Sequence, residues 1–120
     1  MKVDYIITNQ ELRERGLNLS DYAYDETFIP AIIQLGLDIA ITRCAYNYDG
    51  VETEEQIEKL LDEKPDKVSV FKKLQYRIIY NLIFTATDDP IDLYVDTIIA
   101  KELNLGKING IQKGLWYKNY

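Results

Sequence analysis

Few residues in this chain could do chemistry, and their types exclude more than they suggest. The 120 residues contain no histidine and one cysteine, Cys44. Without histidine, the usual general base and the commonest metal ligand are both missing. Cys44 has no second cysteine to pair with or to complete a metal-binding spacing. It lies in an apolar helical stretch and reads as a small buried hydrophobe. Carboxylates cluster at Asp88-Asp89 and at Glu52-Thr53-Glu54-Glu55. Both clusters fall at predicted helix starts, where negative charge is favourable against the helix dipole. Neither has the spacing of a calcium loop. Glycines recur four apart at Gly106, Gly110 and Gly114. Outside a membrane helix this spacing carries no mechanism and makes no phosphate loop; it gives the backbone local freedom. No catalytic residue, metal ligand or cofactor site emerges, and the expectation is a protein that is not an enzyme.

Association is the chemistry that remains. Residues 107–120 (KINGIQKGLWYKNY) hold the only tryptophan and no acid. Ile108, Ile111, Leu115, Trp116 and Tyr117 leave water when a surface is offered, and aromatic residues are enriched where proteins meet. Lys107, Lys113 and Lys118 stand among the aromatic residues, a mixture that also suits phosphates and bases. Three lysines on a chain of net charge −6 make a poor electrostatic footprint for nucleic acid. The chain carries ten tyrosines against three phenylalanines, and tyrosine suits half-buried and interfacial positions.

The elements that must position these residues are helical. A length of 120 residues fits one domain. With 47% hydrophobic and 28% charged residues, the composition is that of a globular protein. Thr8-Asn9-Gln10-Glu11 and Thr53-Glu54-Glu55-Gln56 match the capping box. The first predicts a short helix to about Arg15, ended by Gly16. Leu17 and Leu19 then anchor a connector. From Thr27 to about Tyr46 runs the first long helix, with Pro30 tolerated in its first turn. It is apolar around most of its girth, which predicts a central helix or one covered on two sides. Asp49-Gly50 signals a turn. An acidic helix follows to Glu63, with Ile57, Leu60 and Leu61 inward. Asp66 or Ser69 is then expected to cap the second long helix, which runs to about Thr85. Val68, Phe71, Ile78, Ile79 and Leu82 share one face at about 100° per residue, with Gln75 in its middle. A glutamine there needs hydrogen-bond partners, and backbone is the expected source. Val70 and Phe84 fall on the other side, among Lys73, Arg77, Tyr80 and Asn81. Asp89 and Pro90 predict the start of a third long helix ending at Asn104 to Gly106. Val3–Ile7 is a candidate short strand.

Charge is unevenly divided. Residues 1–66 carry 15 acids and 6 bases, and residues 67–120 carry 5 acids and 8 bases. The halves, −9 and +3, could attract one another across two copies of the chain. No secretory leader and no uninterrupted membrane-length apolar run is read, since Gln34 and Asp38 interrupt the best candidate.

The order of these pieces resembles the head–tail connector (adaptor) proteins of tailed phages, small helical proteins that dock under the portal. The segments that carry the resemblance are Thr8–Arg15, the "IPAIIQLGLDIAITRCAY" helix at Phe28–Tyr46, the "VFKKLQYRIIYNLI" helix at Val70–Ile83, the helix after a "DDP" turn at Pro90–Leu103, and an arm at Lys107–Tyr117. The apolar first long helix and the tyrosine-rich tail depart from it. The resemblance implies an all-α bundle of three long and two short helices, residues 1–106, followed by an extended C-terminal arm, residues 107–120. It implies a virion structural protein, assembled in the host cytoplasm, that forms a ring beneath the portal and performs no chemistry. Its partners would be the portal protein, neighbouring copies of itself and a tail or stopper protein, with passive contact to DNA in the channel and none to membrane. The expected interface residues are Ile108, Ile111, Leu115, Trp116, Tyr117, Phe84 and Tyr80. The helices already supply apolar faces for a compact domain, which favours a neighbour as the surface that receives the arm. The alternative is a small helical regulatory or adaptor protein whose tail folds on its own core.

Overall fold

The computed structural model of the chain describes residues 1–23, 25–47, 51–85 and 90–103. The fold is all-α. Its helices are α1 (Asn9–Glu14), α2 (Phe28–Asn47), α3 (Glu54–Glu63), α4 (Val68–Phe84) and α5 (Leu93–Thr97). Helix α5 runs directly into a π-helical segment, Ile98–Leu103. Single 3-10 turns stand at Val3–Tyr5, Leu19–Asp21 and Pro65–Lys67.

Both capping boxes form. The Thr8 hydroxyl accepts from the Glu11 amide at 3.0 Å, and the Glu11 carboxylate accepts from the Thr8 amide at 3.1 Å. Thr53 and Gln56 make the same exchange, at 3.2 Å in each direction. Each box satisfies donors that a helix N-terminus otherwise leaves orphaned. After α1 the chain reverses through Gly16 at φ +89°, a conformation that suits glycine. The reversal sends Leu17 and Leu19 into the interior, where both are buried.

Helices α2 and α4 form the main contact of the fold. Gly36 is buried at their crossing, and a Cβ there would lie 2.5 Å from Ile79 Cγ1. Leu37, Ala40 and Cys44 continue the buried seam of α2 and pack with Phe71, Leu74 and Ile78 of α4, Ile57 and Leu61 of α3, and Val95, Ile98, Ile99 and Leu103 of the last helical segment. A second cluster joins Ile7, Leu12, Leu17 and Leu19 to Ile79. Gln75 sits between the clusters with no exposed surface. Its Oε1 accepts from the Ile7 amide at 3.1 Å, and its Nε2 donates to the Tyr5 carbonyl at 2.8 Å and the Phe71 carbonyl at 3.3 Å. Backbone is the partner, as the buried position required.

The structure departs from the sequence expectations in five places. Val3–Tyr5 is a 3-10 turn rather than a strand, because this segment finds its partners in Gln75 instead of a second strand. Neither Asp66 nor Ser69 caps α4: the turn Pro65–Lys67 runs straight into it, and Lys67 makes no capping side-chain bond. Asn81 is buried rather than outward, since its amide donates to the Pro90 carbonyl at 2.8 Å. The third long helix is shorter and begins later. Asp92, not Asp89, is its N-cap and accepts from the Val95 amide at 2.8 Å, and Pro90 precedes the helix. Finally, α2 is covered on one side only among the described residues. Ile29, Ile32, Ile33, Ile39 and Ile41 are half-buried, while Ala31, Leu35, Asp38, Thr42 and Tyr46 face solvent. By length and composition alone the stretch Phe28–Tyr46 could cross a membrane, with a mean hydropathy of 1.5. The Asp49-Gly50 turn, Asp88-Asp89 and the whole 107–120 arm lie outside the described residues.

Two substitutions test this packing. Gln75→Leu leaves the Ile7 amide and the Tyr5 carbonyl buried without their partner, and should lower stability by about 1–3 kcal/mol in urea denaturation. Gly36→Ala should also destabilise. Its gain in helix propensity, about 1 kcal/mol, is outweighed by overpacking against Ile79, which costs about 1–3 kcal/mol.

Candidate interaction surface

Burial of Phe71, Leu74, Gln75 and Ile78 turns the opposite side of α4 outward, and that side is aromatic. Tyr76, Tyr80 and Phe84 recur four residues apart, so they stand one above another on the helix. The ring centroids of Tyr76 and Tyr80 are 6.2 Å apart, and those of Tyr80 and Phe84 are 4.7 Å apart. Tyr22, from the connector after α1, meets Phe84 edge to face at 5.4 Å. Four rings thus form a continuous row across two elements. Phe84 keeps 47% of its surface exposed and Tyr22 39%.

Cations flank the row. The Arg77 guanidinium lies between two rings, 4.9 Å from the centroid of Tyr80 and 4.9 Å from that of Tyr94. Tyr94 is itself 47% exposed. Lys73 lies 5.7 Å from the Tyr94 centroid, and Arg15 lies 5.7 Å from that of Tyr76. Each such contact at a partly exposed site is worth about 0.5–1 kcal/mol. Arg77 is held by Asp92 at 3.1 Å and Lys73 by Glu102 at 2.8 Å. Lys67 donates to the Glu102 carbonyl at 2.9 Å, satisfying an acceptor in the π-helical segment. The Glu102 carboxylate raises the Lys73 pKa. Burial raises the Asp92 pKa, but the Val95 amide, Arg77 and Asn81 all donate to it and bring it below its ordinary 3.8.

Tyrosine and arginine are enriched among the few residues that carry most of the binding energy of interfaces. Among the described residues no group of three or more His, Cys, Asp or Glu side chains is placed to hold a metal ion. Burial pushes the Cys44 thiol up to about 12, so it stays protonated and inert. Of the expected interface residues, Tyr80 and Phe84 stand together on this surface, whereas Ile108, Ile111, Leu115, Trp116 and Tyr117 lie outside the described residues. Tyr76, Tyr22, Tyr94, Arg77 and Arg15 were not expected as interface residues. Tyr76 could have been found from its spacing to Tyr80 and Phe84; Tyr22, Tyr94 and Arg15 reach the row only through the fold.

No protein-family model, curated protein or solved structure matches the chain.

Acid should loosen one edge of this surface. The Asp92 pKa is depressed in the folded state, so its contribution is complete above about pH 3.8 and is lost as pH falls through the lower folded value. Asp92→Asn should therefore flatten the stability-versus-pH curve below pH 3.8 relative to wild type, read by urea denaturation at stepped pH.

Proposed function

We propose that this protein works by protein–protein contact, as a structural subunit of a larger assembly, and that the outward face of α4 is its principal contact. The observation that carries this reading is the row Tyr22–Phe84–Tyr80–Tyr76, exposed at Tyr22 and Phe84 and half-buried at Tyr80 and Tyr76, with Arg77 and Arg15 against it. A single exposed ring needs no explanation, but a flanked and continuous row of them does. Helix order supports a more specific form of the reading, a virion neck subunit docking beneath a portal and beside its own copies. A membrane role suits the geometry less well. Asp38 and Thr42 lie on the uncovered side of α2, and Arg43 is tied to Asp96 by two bonds of 2.8 and 2.9 Å. Burying those groups in lipid would cost several kcal/mol.

Co-sedimentation with the cognate portal assembly tests the specific reading. Wild type should co-sediment, and Tyr80→Ala with Phe84→Ala should weaken binding at least about 30-fold, the scale of one lost hot spot. Binding by the double variant at wild-type strength would remove the α4 face from the contact. Absence of portal binding by a folded wild type would remove the neck role and leave the adaptor reading.

A further inference from the structure

Helix α2 carries a groove that the α4 surface does not use. It opens between Asp38, Ile39, Thr42, Arg43 and Tyr46 of α2 and Ile91 before α5, with a volume of about 310 Å³. Its walls are apolar at Ile39 and Ile91, and the Tyr46 ring beside it is 61% exposed. Its rim carries the Asp38 carboxylate, which accepts from Gln34 Nε2 at 2.9 Å and forms no ion pair among the described residues. The groove therefore suits a segment that is apolar, aromatic and positively charged. We propose that its occupant is the chain's own C-terminal segment, residues 107–120.

Three observations converge on that occupant. The first is composition: Ile108, Ile111, Leu115, Trp116 and Tyr117 alternate with Lys107, Lys113 and Lys118, and no acid is present. The second is the sign of the charge. In the α2 groove Arg43 is paired with Asp96, so the Asp38 carboxylate is left to meet a lysine of such a segment, whereas along the α4 row Lys73 and Arg77 are already paired with Glu102 and Asp92 and Arg15 adds a further cation. The third is reach. Asp96 binds Arg43 on the groove wall, and Leu103 lies seven residues further along the same helical segment, roughly 10 Å on at helical rise. Trp116 follows Leu103 by thirteen residues, which span up to about 43 Å when extended. A tether of that length keeps the segment near its own groove at about millimolar effective concentration, so the same molecule outcompetes a second copy in dilute solution. The groove also answers the mismatch at α2, whose apolar girth the other described residues cover on one side only.

Trp116 is the only tryptophan in the chain, so its fluorescence in the full-length protein reports on this contact directly. Iodide should quench it several-fold less strongly in the protein than in the free peptide 107–120. The protection should be independent of protein concentration between 0.1 and 10 µM, as a rough working range for a millimolar tether. Asp38→Lys and Thr42→Arg are both at exposed positions, and each should return quenching toward the free-peptide value while far-UV circular dichroism stays unchanged. Tyr80→Ala should leave quenching as in wild type, which separates this contact from the α4 surface. The proposal is overturned if Trp116 in wild type is as accessible as in the peptide. Protection that survives both α2 substitutions, or that develops only as concentration rises, overturns it as well.

Discussion

The close approach of α2 and α4 at Gly36 is the constraint on which the rest of the structure depends. With no side chain at that position, Ile79 packs directly against the α2 backbone. A crossing that tight fixes the rotation of both helices. On α2 it turns Leu37, Ala40 and Cys44 inward and leaves Leu35, Asp38, Thr42 and Tyr46 outward. On α4 it turns Phe71, Leu74, Gln75 and Ile78 inward and leaves Tyr76, Tyr80 and Phe84 on the far side. A different rotation would bury the aromatic row and expose the core. The two surfaces proposed as contacts are therefore consequences of one packing contact.

Gln75 extends this arrangement to the N-terminal segment. Its side-chain amide supplies the partners of the Tyr5 carbonyl and the Ile7 amide, and so anchors the segment that leads from the first 3-10 turn to α1. Ion pairs then tie the outer elements to the two long helices: Lys72 with Glu11, Lys73 with Glu102, Arg77 with Asp92 and Arg43 with Asp96. All four pairs are partly exposed, and such pairs contribute only modestly to stability. Their effect is positional, since they hold α1, α5 and the π-helical segment in register on α2 and α4. They also show that part of the charge contrast between the halves is neutralised within one molecule, as in Glu11 with Lys72, before a second copy is considered.

Cys44 is buried at the C-terminal end of the α2 seam with its thiol protonated; of the acids of α3, Glu54 and Glu55 stand in its first turn, and Glu54, Glu58 and Asp62 pair with the cations of Met1 and Lys2. What reaches the surface is aromatic and cationic on α4, and apolar with one carboxylate on α2.

Much of this was written in the chain as local pattern. Thr8 with Glu11, Thr53 with Gln56, Gly16, and the 3.6-residue spacing of Phe71, Ile78 and Ile79 determine helices and their starts through bonds within a few residues, so they can be read without a fold. Gln75 was legible for the same reason, as a polar residue in an apolar face that must find backbone. Tyr80 and Phe84 were legible as outward residues of α4. The rest depended on contacts between distant residues. Asp92 caps α5 instead of Asp89 because Arg77 and Asn81 are there to hold that turn. Tyr22, Tyr94 and Arg15 join Tyr76, Tyr80 and Phe84 only once α1 and α5 are packed beside α4. Periodicity shows which residues of a helix are apolar, but not how much of that surface its neighbours have the area to cover. On α2 that question had no local answer, and only the packing of α4 and α5 decided which side of it stayed open.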